Sequence, residues 1–153
     1  MKEILHHKTL DYVINYPDDY EEVKKFPLLI HLHGAGTRGN DISLVADTAV
    51  GPLGEINRGV RLPFIIAAPQ CPGKTWFEYS ETLLSLIDTL VAREDVDRSR
   101  VYLCWISMGR YACWQVATVR AELFAAVMPV CGGGMPWAAG YMKGLPVWAH
   151  HGA

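Results

Sequence analysis

The residues best suited to chemistry stand at Cys104-Trp105-Ile106-Ser107-Met108-Gly109-Arg110, where an apolar strand-like run meets a helix-like one. A serine in so sharp a strand-to-helix turn has its hydroxyl pushed out above the sheet. The helix N-terminus beneath it favours negative charge. The chemistry this permits is nucleophilic attack on a carbonyl by Ser107. The turn demands little bulk two residues before and two after the serine, the pattern G-x-S-x-G. Gly109 meets the second requirement, whereas Trp105 replaces the first glycine. S-x-G by itself also occurs by chance, and the lesser alternative is a serine that caps the helix.

A second segment strengthens the reading. Ile30-His31-Leu32-His33-Gly34-Ala35-Gly36 puts a side-chain-poor loop at the end of an earlier apolar run. Acyl transfer needs backbone N–H groups aimed at a developing oxyanion. The expected donors are Met108 N–H and an N–H of the Gly34-Ala35 loop. His33 then braces that loop. His31 and His33 lack a third partner of zinc-ligand spacing, so no metal and no cofactor is expected. Asp41 could orient the Gly34-Ala35 loop through Arg38 or Asn40, but a surface carboxylate is the preferred reading. The carboxylates at 18, 19, 88, 95 and 97 fall in turns, on a helix or on the far rim, and none suits a triad acid. Trp76, Trp137 and Tyr141 are candidates for lining a substrate cleft or equally for the core, and Arg110 for solvent or the cleft mouth; Trp76 and Arg110 are the substrate-binding candidates.

These residues must be held by an alternation of elements. Leu10–Tyr16, Pro27–His33, Leu62–Pro69, Arg100–Trp105, Leu123–Val130 and Leu145–His150 read as strands. Ser80–Glu94, with apolar residues at 83, 84, 87, 90 and 91 behind a Ser80 cap, and Gly109–Arg120 read as helices. Near-continuous apolar strands separated by helices imply a doubly wound, mostly parallel α/β sheet covered on both faces. The loops after His33, Trp105 and Val130 then share the rim where such sheets place ligands. A length of 153 residues suits a single domain over 1–153.

The net charge of −2 and the lack of a basic cluster argue against nucleic-acid or anionic-membrane partners. No apolar run is long enough for a membrane span, and the N-terminus lacks a secretory pattern. Cytoplasm is the default expectation, with secretion if a signal was removed. The four cysteines, at 71, 104, 113 and 131, read as buried free thiols.

His31–Asp41, Phe64–Pro72, Asp97–Ala117, Glu122–Gly134 and Leu145–Ala153 together resemble, in order, blocks of α/β-hydrolase carboxylesterases. The nearest groups are the predicted peptidase and esterase branch, related to polyhydroxybutyrate depolymerases and feruloyl esterases. The resemblance implies a serine hydrolase acting on small or medium carboxylic esters. Ser107 matches its nucleophile, and Gly34, Ala35 and Met108 match its oxyanion positions. The family usually reads G-x-S-M-G-G, so Trp105 and Arg110 are departures. A tryptophan at the first glycine is expected to crowd the corner, at about 1–3 kcal/mol.

The resemblance also implies an acid after the strand ending in His-Gly, then a later histidine. Both are expected to be missing, with activity impaired. His151 is the candidate substitute base, although a strand two places from the serine strand lies about 10 Å away. The alternative reading is a non-catalytic scaffold that binds or self-associates, with a homo-oligomer formed through an open sheet edge.

Overall fold

The fold is described from a computed structural model covering residues 1–21, 24–131, 134 and 136–152, with the side chains of Arg110 and Tyr111 outside the description. Six strands form one sheet. In chain order they are β1 (Lys2–His7), β2 (Leu10–Asn15), β3 (Phe26–Leu32), β4 (Ile65–Pro69), β5 (Val96–Ile106) and β6 (Ala126–Val130). Their spatial order is β1-β2-β4-β3-β5-β6. The β4-β3-β5-β6 core is parallel, and the β1-β2 hairpin adds antiparallel to β4.

Both faces of the parallel core are covered, as its apolar strands require. On one face α3 (Ser80–Val91) and α4 (Gly109–Val119) pack against Leu28, Ile30, Leu103 and Trp105. On the other, α1 (Ser43–Ala46) and α2 (Gly51–Asn57) bring Val45, Ala46 and Leu53 onto Val13, Ile66 and Ala68. The doubly wound sheet expected from the strand pattern is the one observed.

Several local expectations are corrected. β1 has no counterpart in the sequence reading; its residues alternate between exposed and half-buried, leaving no apolar run to notice. On α3, Leu86 is buried and Leu84 only partly so. Ser80 does not cap α3. The cap sits one turn earlier, as a reciprocal Thr75–Glu78 box on the 3-10 turn Trp76–Tyr79, while Ser80 Oγ lies 2.9 Å from the Phe77 carbonyl and 3.1 Å from Gln115 Oε1. The strand expected from Leu123 starts at Ala126, after a 3-10 turn over Ala121–Leu123.

Residues 145–150 run parallel to β6 through isolated bridges. Val127 N–H donates to Pro146 O (3.0 Å), Trp148 N–H to Val127 O (3.0 Å) and His150 N–H to Pro129 O (2.9 Å). On the far rim, Asp95 accepts from Arg93 Nε (2.8 Å) and the Tyr20 hydroxyl (2.7 Å). That carboxylate ties chain segments together away from Ser107. Among the described residues no helix is long and apolar enough to cross a membrane.

Candidate active site

β5 ends at Ile106 and α4 begins at Gly109, so Ser107 and Met108 make the whole turn. Ser107 sits at φ +51°, the left-handed region that costs a side-chain-bearing residue about 1–2 kcal/mol. Such strain persists only where the surroundings over-determine it. Here the Ser107 N–H donates to Val130 O at 3.1 Å, pinning the turn to β6. Gly109 is required by close approach: a Cβ there would lie 2.6 Å from Leu32 O and 3.1 Å from His33 O. Gly34 is brought to the same point, where an added Cβ would meet Ser107 Cβ at 3.4 Å. The two segments singled out by their glycines are therefore neighbours in space.

Trp105 does not crowd this corner. Its side chain leaves the sheet two residues earlier, toward α4, and is buried edge-on against Trp114 with ring centroids 5.5 Å apart. The cost takes a different form, because its indole N–H is buried with no hydrogen-bond partner among the described residues. An orphaned donor of this kind costs about 1–3 kcal/mol.

The loop after β3 is held from one side by residues 70–76. His33 Nε2 accepts the Cys71 N–H (2.9 Å), and its Nδ1–H donates to Gly34 O (2.6 Å). Those roles require the neutral imidazole with its proton on Nδ1, and burial keeps it so by lowering its pKa. Because the peptide is planar and trans, fixing the Gly34 carbonyl toward His33 turns the Ala35 N–H the opposite way. A 3-10 turn starts at Ala35, so this N–H has no intrahelical acceptor.

Gln70 Nε2 donates to Thr37 O (2.9 Å) and Asp41 O (2.8 Å), and Gly39 N–H to Cys71 O (3.0 Å). Arg38 donates to Ala35 O (2.9 Å) and Lys74 O (3.0 Å). Arg38 thus braces the loop directly rather than by way of Asp41, and Gln70 escaped the sequence reading. The available signal was its position just beyond a strand ending on the same rim.

Trp76 is corrected from cleft lining to core. It is fully buried, its ring packs on His33, and its indole N–H donates to His33 O at 3.3 Å. Trp137 and Tyr141 are exposed and do not line the cleft beside Ser107. Asp41 accepts from the Ser43 hydroxyl and N–H, a local turn contact. The side chain of Arg110, and Gly132 and Gly133 of the loop after Val130, lie outside the described residues.

Ser107 opens into a cleft of about 320 Å³. The loop from Gly34 to Thr37 forms one wall, and Val45, Thr48 and Val50 contribute to another. His31 and Ile106 also line it. Burial pushes His31 down to about 4, with His33 nearby adding to the effect. Its Nδ1 lies 3.3 Å from the Cys104 thiol, which burial raises to about 12. Both groups are thus neutral at ordinary pH.

The structure does not bring His151 into this cleft. It follows the strand-like segment beyond β6, two positions from β5, and its Nδ1–H donates to Gly152 O at 2.8 Å. Among the described residues, no hydrogen bond joins the Ser107 hydroxyl to an imidazole, and no group of three metal-ligating side chains occurs. Cys71, Cys104 and Cys113 are buried free thiols as expected; Cys131 is exposed, because it lies past the end of β6 at φ +55°.

A mostly parallel, doubly wound sheet with a serine at this strand-to-helix corner has the fold of the α/β-hydrolase esterases. A solved thermostable esterase superposes over 97% of this chain and 45% of its own length, with TM-score 0.75 and 29% identity. A feruloyl esterase module from Clostridium thermocellum, solved as a mutant with sinapinate, covers 94% of this chain and 59% of its own, with TM-score 0.68 and 17% identity.

Among curated proteins, "Probable feruloyl esterase C" of Aspergillus oryzae (strain ATCC 42149 / RIB 40) is 29% identical over 133 residues, 83% of this chain. Its counterpart in Aspergillus terreus is 24% identical over 127 residues, 80% of this chain. The chain spans about half the length of these relatives, 48% and 46% respectively. No protein-family model matches the chain.

Proposed function

We propose that this chain carries the nucleophile and oxyanion side of a serine-dependent carboxylic ester hydrolase. Ser107 attacks the ester carbonyl and forms the acyl-enzyme, and the N–H groups of Met108 and of the Gly34-Ala35 loop receive the oxyanion. The observation that carries the reading is the left-handed Ser107 at the β5–α4 turn, with Gly109 packed where any side chain would intrude and Gly34 in contact range of Ser107. The esterase relatives support the same reaction class.

Activation is the weak part of the machinery. His33 has both nitrogens committed, and His31 is engaged with Cys104. His151 enters as a base only if the residues after β6 swing toward Ser107. Hydrolysis by the chain is therefore slow. An oxyanion hole and binding alone still give roughly 10³–10⁴-fold over water in serine proteases lacking triad members.

The test is intact-mass analysis after treatment with a fluorophosphonate, with Ser107→Ala alongside. One adduct per chain, absent from the variant, is expected; a folded protein that takes no adduct refutes an activated Ser107.

One observation favours a second reading, a self-associating scaffold. Residues 145–150 bond β6 on one side, and Trp148 beside that edge is 68% exposed. Sedimentation over a concentration series tests it, and a monomer throughout rejects it.

A further inference from the structure

One cleft wall is built by a stretch the catalytic reading does not use. Residues 47–50 join α1 to α2, and Thr48 and Val50 line the cleft together with Val45 at the end of α1. This stretch is fastened from behind. Asn57 Nδ2 donates to Ala46 O (3.0 Å) and Thr48 O (2.9 Å), Arg58 Nη1 to Ala49 O (2.7 Å), and Lys2 Nζ to Ala46 O (2.7 Å). The Val50 N–H donates to Thr48 Oγ1 at 3.1 Å. The contact with α2 is so close that a Cβ on Gly54 would fall 2.4 Å from the Ala49 carbonyl carbon. The wall therefore keeps its shape before any ligand arrives, which lowers the cost of binding.

Val50 is not part of the core. It is 50% exposed, belongs to neither apolar cluster, and stands at the cleft on this fixed backbone. Ile106 and the side-chain-poor loop from Gly34 line the same cleft. Among the described residues, no Lys, Arg, Asp or Glu lines the cleft, and its two imidazoles are neutral. A charged group entering here would lose hydration without gaining an ionic partner among these residues. The volume of about 320 Å³ is at the lower end of ligand pockets, which run from about 300 to 1,000 Å³.

We infer that Val50, together with Thr48, selects the substrate by packing against an uncharged, mainly apolar, short group on one side of the scissile ester. This rests on the reading of Ser107 as the attacking residue. Either the acyl or the alcohol group presents the same surface to Val50, so the test separates them.

The experiment compares wild type, Val50→Trp and Val50→Ala. It measures kcat/KM for 4-nitrophenyl acetate, butanoate and decanoate, then for ethyl and hexyl acetate. Ligand-observed NMR with 2-hexanone, and with hexanoate as the charged counterpart, reports binding without chemistry. Val50→Trp is expected to lower the preference for butanoate over acetate about ten-fold, in the range that pocket methylenes command. Val50→Ala is expected to raise decanoate relative to butanoate. It also keeps the test decisive should the tryptophan variant fail to fold.

A change confined to the acyl series assigns the acyl group, and one confined to the acetates assigns the alcohol. Hydrolysis with the same chain-length profile in every folded variant overturns this inference and leaves the esterase reading intact. Ketone binding that Val50→Trp abolishes, in a chain hydrolysing none of the esters, overturns the esterase reading and keeps the pocket. Hexanoate binding as tightly as 2-hexanone removes the claim that the group is uncharged.

Discussion

The two sides of Ser107 are built differently. Toward β3, the loop from Gly34 is fastened by His33, Gln70, Arg38 and the Cys71 backbone, and Gly109 lies hard against the end of β3. Toward β6, the chain continues into isolated bridges with exposed aromatics at Trp137, Tyr141 and Trp148. The β3 side holds its backbone donors with little freedom, whereas the β6 side offers Ser107 no imidazole among the described residues. The strained serine conformation is thus held by the close-packed β3 side, by its own helix start and, from β6, by one backbone hydrogen bond to Val130 O.

The largest effect is expected where the two flanks meet. Gly109→Ala drives a methyl group into Leu32 O, so α4 must shift; a loss of about 3 kcal/mol in urea unfolding is expected, together with loss of phosphonylation. Normal labelling in that variant would show that the close approach is not needed to aim Ser107.

Next comes His31, beneath the β3 side. Burial holds it at about 4 when folded against 6.5 when unfolded. Above that unfolded value the ring is neutral in both states and its contribution to stability is complete. As pH falls from 6.5 toward 4 the unfolded chain takes up the proton first, and stability declines. Between pH values of about 7.5 and about 5 this one group accounts for about 2 kcal/mol. The urea-derived stability of His31→Leu should vary with pH by that much less than wild type. An unchanged dependence would mean that the imidazole is not sealed under Gly51, where a Cβ would lie 2.7 Å from Nε2.

The smallest effect belongs to the β6 side. Trp148→Lys should change unfolding stability by no more than about 0.5 kcal/mol, because the ring is largely exposed. A larger loss in dilute solution would contradict the loosely built β6 flank; one that grows with protein concentration would instead reveal a partner on that edge.

Much of this was legible in the residues. Runs such as PLLIHLH and FIIAAP mark buried strands because a parallel sheet covered on both faces needs apolar side chains on both. Ser107, Gly109 and Gly34 stand out because a tight corner excludes side chains, and glycine records that exclusion directly. β1 was not legible, since KEILHH faces solvent at alternate positions. Nor were α1 and α2: each is too short to display a helical period, and Gly51, Pro52 and Gly54 interrupt the second.

Sequence alone determined the class of sheet, the rim on which its loops gather, and the identity of the serine at the corner. Each of these follows from local polarity and backbone freedom, which neighbouring residues carry with them. Tertiary structure decided what surrounds that serine. It sent Trp105 and Trp76 into the core, made His33 a brace with both nitrogens occupied, and set Val50 over the cleft. Those outcomes depend on contacts between segments far apart in the chain, and one residue's type does not specify which neighbour will occupy its hydrogen-bonding atoms.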